Sequence, residues 1–151
     1  QNTEYEGMGT TLVCMLTTGD QVVVGNVGDS RAYLIDEKGI HQISQDHSLV
    51  HEMMTRGELS AYQAQRHPSR NVVTRVLGVE EQVKCDTFKL TVKPGQFILL
   101  CSDGLTNEVS EPEIYYEVYF SEQPEKACKA LVDIANLRGG HDNISIILVK
   151  F

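Results

Sequence analysis

The strongest constraint on this chain is a repeated local pattern, a short β-branched, apolar run that stops at a turn rich in Gly, Asp and Ser. Thr10–Thr18 (TTLVCMLTT) ends at Gly19-Asp20, Gln21–Val27 (QVVVGNV) at Gly28-Asp29-Ser30, and Gln96–Cys101 (QFILLC) at Ser102-Asp103-Gly104. Such side chains fit a pleated, half-buried surface, while Gly and Asp supply tight turn conformations. The pattern predicts a sheet protein with short loops.

The first half reads as an antiparallel meander. Strands are expected at Thr10–Thr18, Gln21–Val27, Arg31–Ile35 and Ile40–Ser44, with Gly19-Asp20 and Lys38-Gly39 turning the chain. The character then changes. Ser48–Arg56 has helical spacing, with Leu49, Met53 and Met54 towards one face and Gly57 as a stop. Ser60 is placed to cap a second short helix through Arg66, before His67-Pro68 forces extended backbone. With few apolar anchors, these two pieces are expected to form a surface subdomain between core strands, more mobile than the sheet.

Strands resume at Val83–Val92 and, after Lys93-Pro94-Gly95, at Gln96–Cys101, whose unbroken apolar run is expected deep in the core. Ser110-Glu111-Pro112-Glu113 matches a capping box. A last helix over Glu125–Leu137 repeats apolar residues at Ala127, Ala130, Leu131, Ile134 and Ala135, and Arg138-Gly139 ends it. Asn143–Phe151 (NISIILVKF) reads as a final buried strand. Strands first, with helices interleaved later, give an α+β class.

Composition narrows the function classes. The 151 residues suit one domain, and 13 basic against 21 acidic side chains give a net charge of −8, which argues against a nucleic-acid or anionic-membrane binder. No apolar stretch reaches transmembrane length, and no basic start followed by an apolar core marks a signal peptide. Cys14, Cys85, Cys101 and Cys128 are scattered without a C-x-x-C pair, so free thiols in a reducing, cytoplasmic setting are expected. Cys14 and Cys101, inside apolar runs, read as small buried hydrophobes. The chain begins with Gln1, not Met, and runs almost at once into a motif, as a piece of a longer protein would.

The chemistry signal lies in Asp29, Asp103 and Asp142, held in Gly28-Asp29-Ser30-Arg31, Ser102-Asp103-Gly104-Leu105 and Gly139-Gly140-His141-Asp142-Asn143. Carboxylates are hard ligands suited to Mg²⁺ or Mn²⁺, and the flanking glycines let backbone approach an ion or phosphate closely. Each Asp alone reads as a turn former. Three of them beside apolar strands favour convergence on one rim of a sheet.

Rival chemistries lack their residues. No Cys is followed by Arg at Cys-x5-Arg spacing, the Asp-x-Asp-Gly-Thr of aspartyl-phosphate enzymes is without its first Asp, and neither G-x-S-x-G nor a nucleotide loop occurs. His47 and His51, four apart, have zinc-pair spacing but neither the intervening Glu of H-E-x-x-H nor a third ligand, so they read as a solvated helix face. Arg31 and Arg75 read as partners of neighbouring carboxylates rather than phosphate ligands. His141, a loop residue beside Asp142, reads as replaceable.

Taken together, Gly7-Met8-Gly9-Thr10-Thr11, Val27-Gly28-Asp29-Ser30-Arg31, Asp46-His47-Ser48, Thr74-Arg75-Val76-Leu77-Gly78, Leu99-Leu100-Cys101-Ser102-Asp103-Gly104-Leu105 and Gly140-His141-Asp142-Asn143 resemble the metal-dependent PP2C (PPM) serine/threonine phosphatases, the compact bacterial type above all. The resemblance implies a β-sandwich of two antiparallel sheets flanked by helices in α-β-β-α layers, with a Mn²⁺ or Mg²⁺ pair at one end. It implies that Asp103 and Asp142 bind the second metal of the pair, that Asp29 with Asp103 forms a third site, and that the segment near 47–77 is a mobile flap subdomain beside the active site. Asn143 and Gly104 would support those ligands from behind. The implied reaction is hydrolysis of phosphoserine or phosphothreonine in proteins, substrates of a cognate kinase, by a metal-bridging water.

The same resemblance marks a departure. The Asp-Gly-Met-Gly-Gly-type block that supplies the bridging Asp, another early acidic residue and the phosphate-binding Arg are missing, so the phosphate ligand within these residues is unknown. The expectation is the C-terminal part of one such domain over 1–151, incomplete at its N-terminus and inactive alone. The alternative is a non-catalytic pseudophosphatase or regulatory domain on the same scaffold.

Overall fold

The computed structural model describes residues 6–151, so positions 1–5 of the domain expected over 1–151 lie outside the described residues. Among these described residues seven strands, β1 (Leu12–Thr18), β2 (Gln21–Val27), β3 (Arg31–Asp36), β4 (Gly39–Gln42), β5 (Asp86–Thr91), β6 (Phe97–Cys101) and β7 (Ile146–Lys150), build two antiparallel sheets. One has the order β1-β2-β5 and the other β4-β3-β6-β7. The helices are α1 (Leu49–Thr55), α2 (Ala61–Ala64), α3 (Asp103–Thr106), α4 (Glu111–Tyr119) and α5 (Pro124–Leu137).

The sheets face one another across Val22 and Val24 from β2, Ala32 from β3, and Ile98 and Leu100 from β6, with Val13, Met15, Phe88 and Leu90 packed on them. On its other face the four-stranded sheet presents Tyr33, Ile35, Phe97, Leu99 and Cys101 to Leu105, Ile114, Val118, Ala127, Leu131 and Ala135 of the helices. β6 thus feeds both interiors, which is why all five of its residues are buried and its sequence shows no alternation. Of the four layers expected, three are present among the described residues, sheet, sheet and helix; the helical layer expected on the outer side of the three-stranded sheet is not among them, which leaves Leu12 and Leu16 exposed. Leu12, Cys14 and Leu16 of β1 point to the outer side of the three-stranded sheet and are exposed, whereas Val13 and Met15 point inward. Cys14 is therefore not the buried hydrophobe that its apolar run suggested, while Cys101 is. All four cysteines are free.

The continuous meander expected for the first half does not form. β2 has β1 on one side and β5 on the other, so neither of its edges is open to β3. Gly28, at φ +113°, turns the chain out of the first sheet, and β3 pairs with β4 and β6 in the second. The last strand also differs from expectation. It begins at Ile146 rather than Asn143, because Ser145 and Asn143 are bound to Ser102, and as an edge strand it leaves Ile147 60% exposed.

Between β4 and β5, α1 and α2 lie on the surface. Ser48 accepts from the His51 N–H at the start of α1, and Ser60 with Gln63 forms a capping box at α2. Val50 and Ala64 are the buried apolar side chains of these helices. This matches the anchor-poor segment expected from the sequence.

Candidate metal centre

The three acidic turns do not share one environment. Asp29 follows β2 directly and is half-buried; Asp103 opens α3 just after β6. Both line an open cavity of about 800 Å³, bounded on the side of the α1–α2 segment by Val50, Met54, Arg66 and Arg70 and elsewhere by Asn107, Glu111 and Arg138. Burial first, and then the negative charge of Asp103, push the Asp29 carboxyl above its usual range. Two neighbouring carboxylates raise one another's cost of ionisation, and a divalent ion bound to both relieves it. That pairing fits a hard, oxygen-bound metal.

Asp103 is not in a plain turn, as Asp-Gly had suggested. It occupies the first position of the one-turn helix α3, with Ser102 at the N-cap, and Asn107 Nδ2 donates to its Oδ2 at 3.3 Å. The Ser102 hydroxyl donates to the Asn143 carbonyl at 3.0 Å and accepts from the Ser145 N–H at 3.0 Å. Gly104 completes the contact, since a Cβ there would lie 2.4 Å from the Asn143 carbonyl oxygen. Gly104 is required because the Asp103 turn and the Asp142 loop touch backbone to backbone.

Asp142 is thereby held beside the Asp103 turn, but it is exposed and does not line the cavity with Asp29. Among the described residues no three His, Cys, Asp or Glu side chains gather as a ligand cluster. Asn143 supports Asp142 through its backbone N–H, which donates to Oδ1 at 2.7 Å, rather than through its side chain. His141 Nδ1 lies 2.8 Å from Glu108 Oε1, joining the same loop to the segment after α3.

Both arginines are engaged by carboxylates, as expected. Arg31 makes a fork of bonds to Asp46, with Nε–Oδ1 at 3.0 Å and Nη2–Oδ2 at 2.6 Å. Arg75 Nη1 donates to Asp86 Oδ1 at 3.0 Å. The reading of His47 with His51 as a solvated helix face fails. His47 precedes α1 and is buried, with Nδ1 accepting from the Gly28 N–H at 2.9 Å and Nε2 lying 3.1 Å from Asp86 Oδ2. No local spacing could have revealed this, because its partners lie 19 and 39 residues away.

The glycine motif near the start also has a packing reason. Thr10 and Leu77 exchange backbone hydrogen bonds at 3.0 and 2.8 Å, and a Cβ on Gly9 or Gly78 would meet Val76 or the Met8 carbonyl within 2.9 Å. The Gly7–Thr10 block and the Thr74–Gly78 block are two sides of one contact.

Comparison with known proteins decides the family. The protein phosphatase 2C family model matches residues 1–134. This chain belongs to the protein phosphatase 2C family. The serine/threonine phosphatase Stp of Listeria monocytogenes is 43% identical over 147 residues, covering 97% of this chain and 58% of the relative. The serine/threonine phosphatase Stp1 of Staphylococcus aureus superposes with a TM-score of 0.94 at 38% identity, over 99% of this chain and 59% of that one. The PstP catalytic domain, solved in complex with 2 manganese ions, has a TM-score of 0.85 at 30% identity, over 96% and 60%. The chain thus spans about three-fifths of the length of these PP2C relatives. Among the described residues no helix is long and apolar enough to cross a membrane.

Proposed function

We propose that this chain carries the Asp29–Asp103 side of the metal centre and the flap of a PP2C-type protein phosphatase acting on phosphoserine and phosphothreonine. The observation that carries this reading is that Asp29 and Asp103 line one cavity, close enough for the charge of Asp103 to act on the Asp29 carboxyl, in a chain of this family. Asp103 and Asp142 would hold one ion and Asp29 with Asp103 another, with Asn143 and Gly104 supporting the contact between the two ligand-bearing loops. Mn²⁺ or Mg²⁺ bound there supplies a water of lowered pKa and neutralises charge on the phosphoryl group.

The residues of the chain supply position and charge. Arg66 and Arg70 line the flap wall of the cavity, and among the described residues neither has a carboxylate partner, whereas Arg31 and Arg138 are neutralised by Asp46 and Glu113. An anionic phosphopeptide entering this cavity would meet those two guanidinium groups, of which Arg66 is stacked on the Tyr62 ring and Arg70 donates to the Gln65 carbonyl. The segment near 47–77 acts as the flap. Kinase substrates in the cytoplasm are the proposed phosphoprotein class.

On the same reading the 151 residues alone do not turn over substrate, because the Asp-Gly-Met-Gly-Gly-type block is not among them. The test compares this chain with the protein encoded by its whole gene, using a phosphothreonine peptide and Mn²⁺. The expected result is metal-dependent phosphate release by the whole protein and none by the chain. Silence from both would instead support the pseudophosphatase alternative.

A further inference from the structure

The Asp29 turn is held by contacts that its own sequence does not explain. Gly28 is buried at φ +113°, and a Cβ on it would strike the Thr11 side chain at 2.3 Å. The Gly28 carbonyl accepts from the His47 backbone N–H at 2.9 Å and from Asn26 Nδ2 at 3.2 Å, while the Gly28 N–H donates into the His47 ring. One residue, His47, therefore grips the residue before Asp29 from both sides of its backbone. Asp46, the neighbour of His47, grips Arg31 on the far side of the turn.

The ring nitrogens have assignable roles. Nδ1 receives the Gly28 N–H and so carries no proton; in the neutral ring the proton is on Nε2 and is donated to Asp86 Oδ2. Arg75 Nη1, which can only donate, lies within hydrogen-bond distance of both Nε2, at 2.9 Å, and Asp86 Oδ1, at 3.0 Å; with the ring proton on Nε2, Asp86 is the acceptor for the ring and the guanidinium alike. The opposite tautomer would set the ring N–H against the Gly28 N–H and leave Nε2 facing the Asp86 carboxylate. The His47 hydrogen bond, and after it Arg75, hold the Asp86 carboxyl below its usual range.

His47 is also where the flap meets the body. Its carbonyl accepts from the Thr74 N–H at 2.8 Å, Leu49 N–H donates to the Val72 carbonyl at 2.9 Å, and Ser48 bridges to Val73. The chain leaving for α1 and the chain returning from α2 are thus pinned together at the residue that grips Gly28.

We propose that His47, fixed by Asp86 as the Nε2–H tautomer, is a positioning residue that holds the Asp29 turn through Gly28 and joins it to the base of the flap. What that turn presents to a metal rests on the proposed phosphatase reading; the tether itself does not.

The test uses the ¹⁵N-labelled chain and MnCl₂. The tether predicts a through-hydrogen-bond ¹⁵N–¹⁵N coupling between Gly28 and His47 Nδ1, with ring shifts of an Nε2–H imidazole. His47→Asn keeps an acceptor at the Nδ1 position, whereas His47→Gln keeps a donor near the Nε2 position and loses that acceptor. Paramagnetic broadening of the Asp29 amide by Mn²⁺ should weaken by about tenfold or more in affinity in His47→Gln, the usual cost of losing a group that orients a ligand. His47→Asn should recover most of it. Equal losses in both variants, or no coupling in the wild type, would overturn the proposal. Coupling in a wild type that binds no Mn²⁺ would support the tether and defeat the metal reading instead.

Discussion

Gly104 lies directly against the backbone of Asn143, close enough that a Cβ at 104 would sit 2.4 Å from the Asn143 carbonyl oxygen and 3.0 Å from its carbonyl carbon. With Ser102 bonded to the same loop, this contact fixes the spacing between the Asp103 turn and the Asp142 loop. Both atoms it would meet are backbone, so a methyl group can be admitted only by moving α3 or the Asp142 loop.

Gly104→Ala is therefore expected to lose about 1–3 kcal/mol of stability, the usual range for overpacking a close contact. It should also weaken Mn²⁺ binding, since the two loops are forced apart. Urea unfolding and calorimetric titration check the two effects. A variant as stable as the wild type would show that the loops are not held in contact.

Asp29 gives a prediction in pH. Its folded-state pKa is raised above 3.8, first by burial and then by Asp103, so the folded state binds this proton more tightly than the unfolded chain does. The contribution is fully present below the ordinary Asp value and is lost as pH rises through the raised folded value. At pH 7 and without metal, Asp29→Asn should thus be more stable than the wild type, with the difference vanishing in acid below the ordinary value. Excess Mn²⁺ should reverse the order, because only the wild type gains a charged ligand. Urea midpoints in EDTA and in Mn²⁺ measure both; a wild type more stable than Asp29→Asn in EDTA at pH 7 contradicts the assignment.

The Arg31–Asp46 fork supports the other side of the Asp29 turn. Asp46→Ala leaves a partly buried guanidinium without its carboxylate, at an expected cost of about 1–3 kcal/mol. Arg31→Lys should recover little, because an ammonium cannot make the planar paired bonds seen here. Thermal or urea unfolding of the two variants provides the comparison. Full recovery by lysine would mean that charge alone, not geometry, is used.

Much of the fold was legible where local physics decides it. The apolar run at Phe97–Cys101, the Ser110–Glu113 capping box and the apolar stripe of Pro124–Leu137 each became the expected element. Sheet membership was not legible: β2 and β3 look alike in sequence, and only the occupied edges of β2 send β3 to the other sheet. The site divides in the same way. Asp29 and Asp103 stood out because each follows an apolar strand, but the buried role of His47 depends on Gly28 and Asp86, which the fold alone brings to it.

The central claim is that Asp103 is shared by the two ion positions, and Mn²⁺ affinity tests it most directly. Titration of the chain and of Asp103→Asn, followed by the electron paramagnetic resonance signal of free Mn²⁺, is the decisive measurement. The expected result is binding by the wild type and a loss of about tenfold or more in the variant, at least the cost of removing a supporting group around a metal. Unchanged affinity in Asp103→Asn would contradict it.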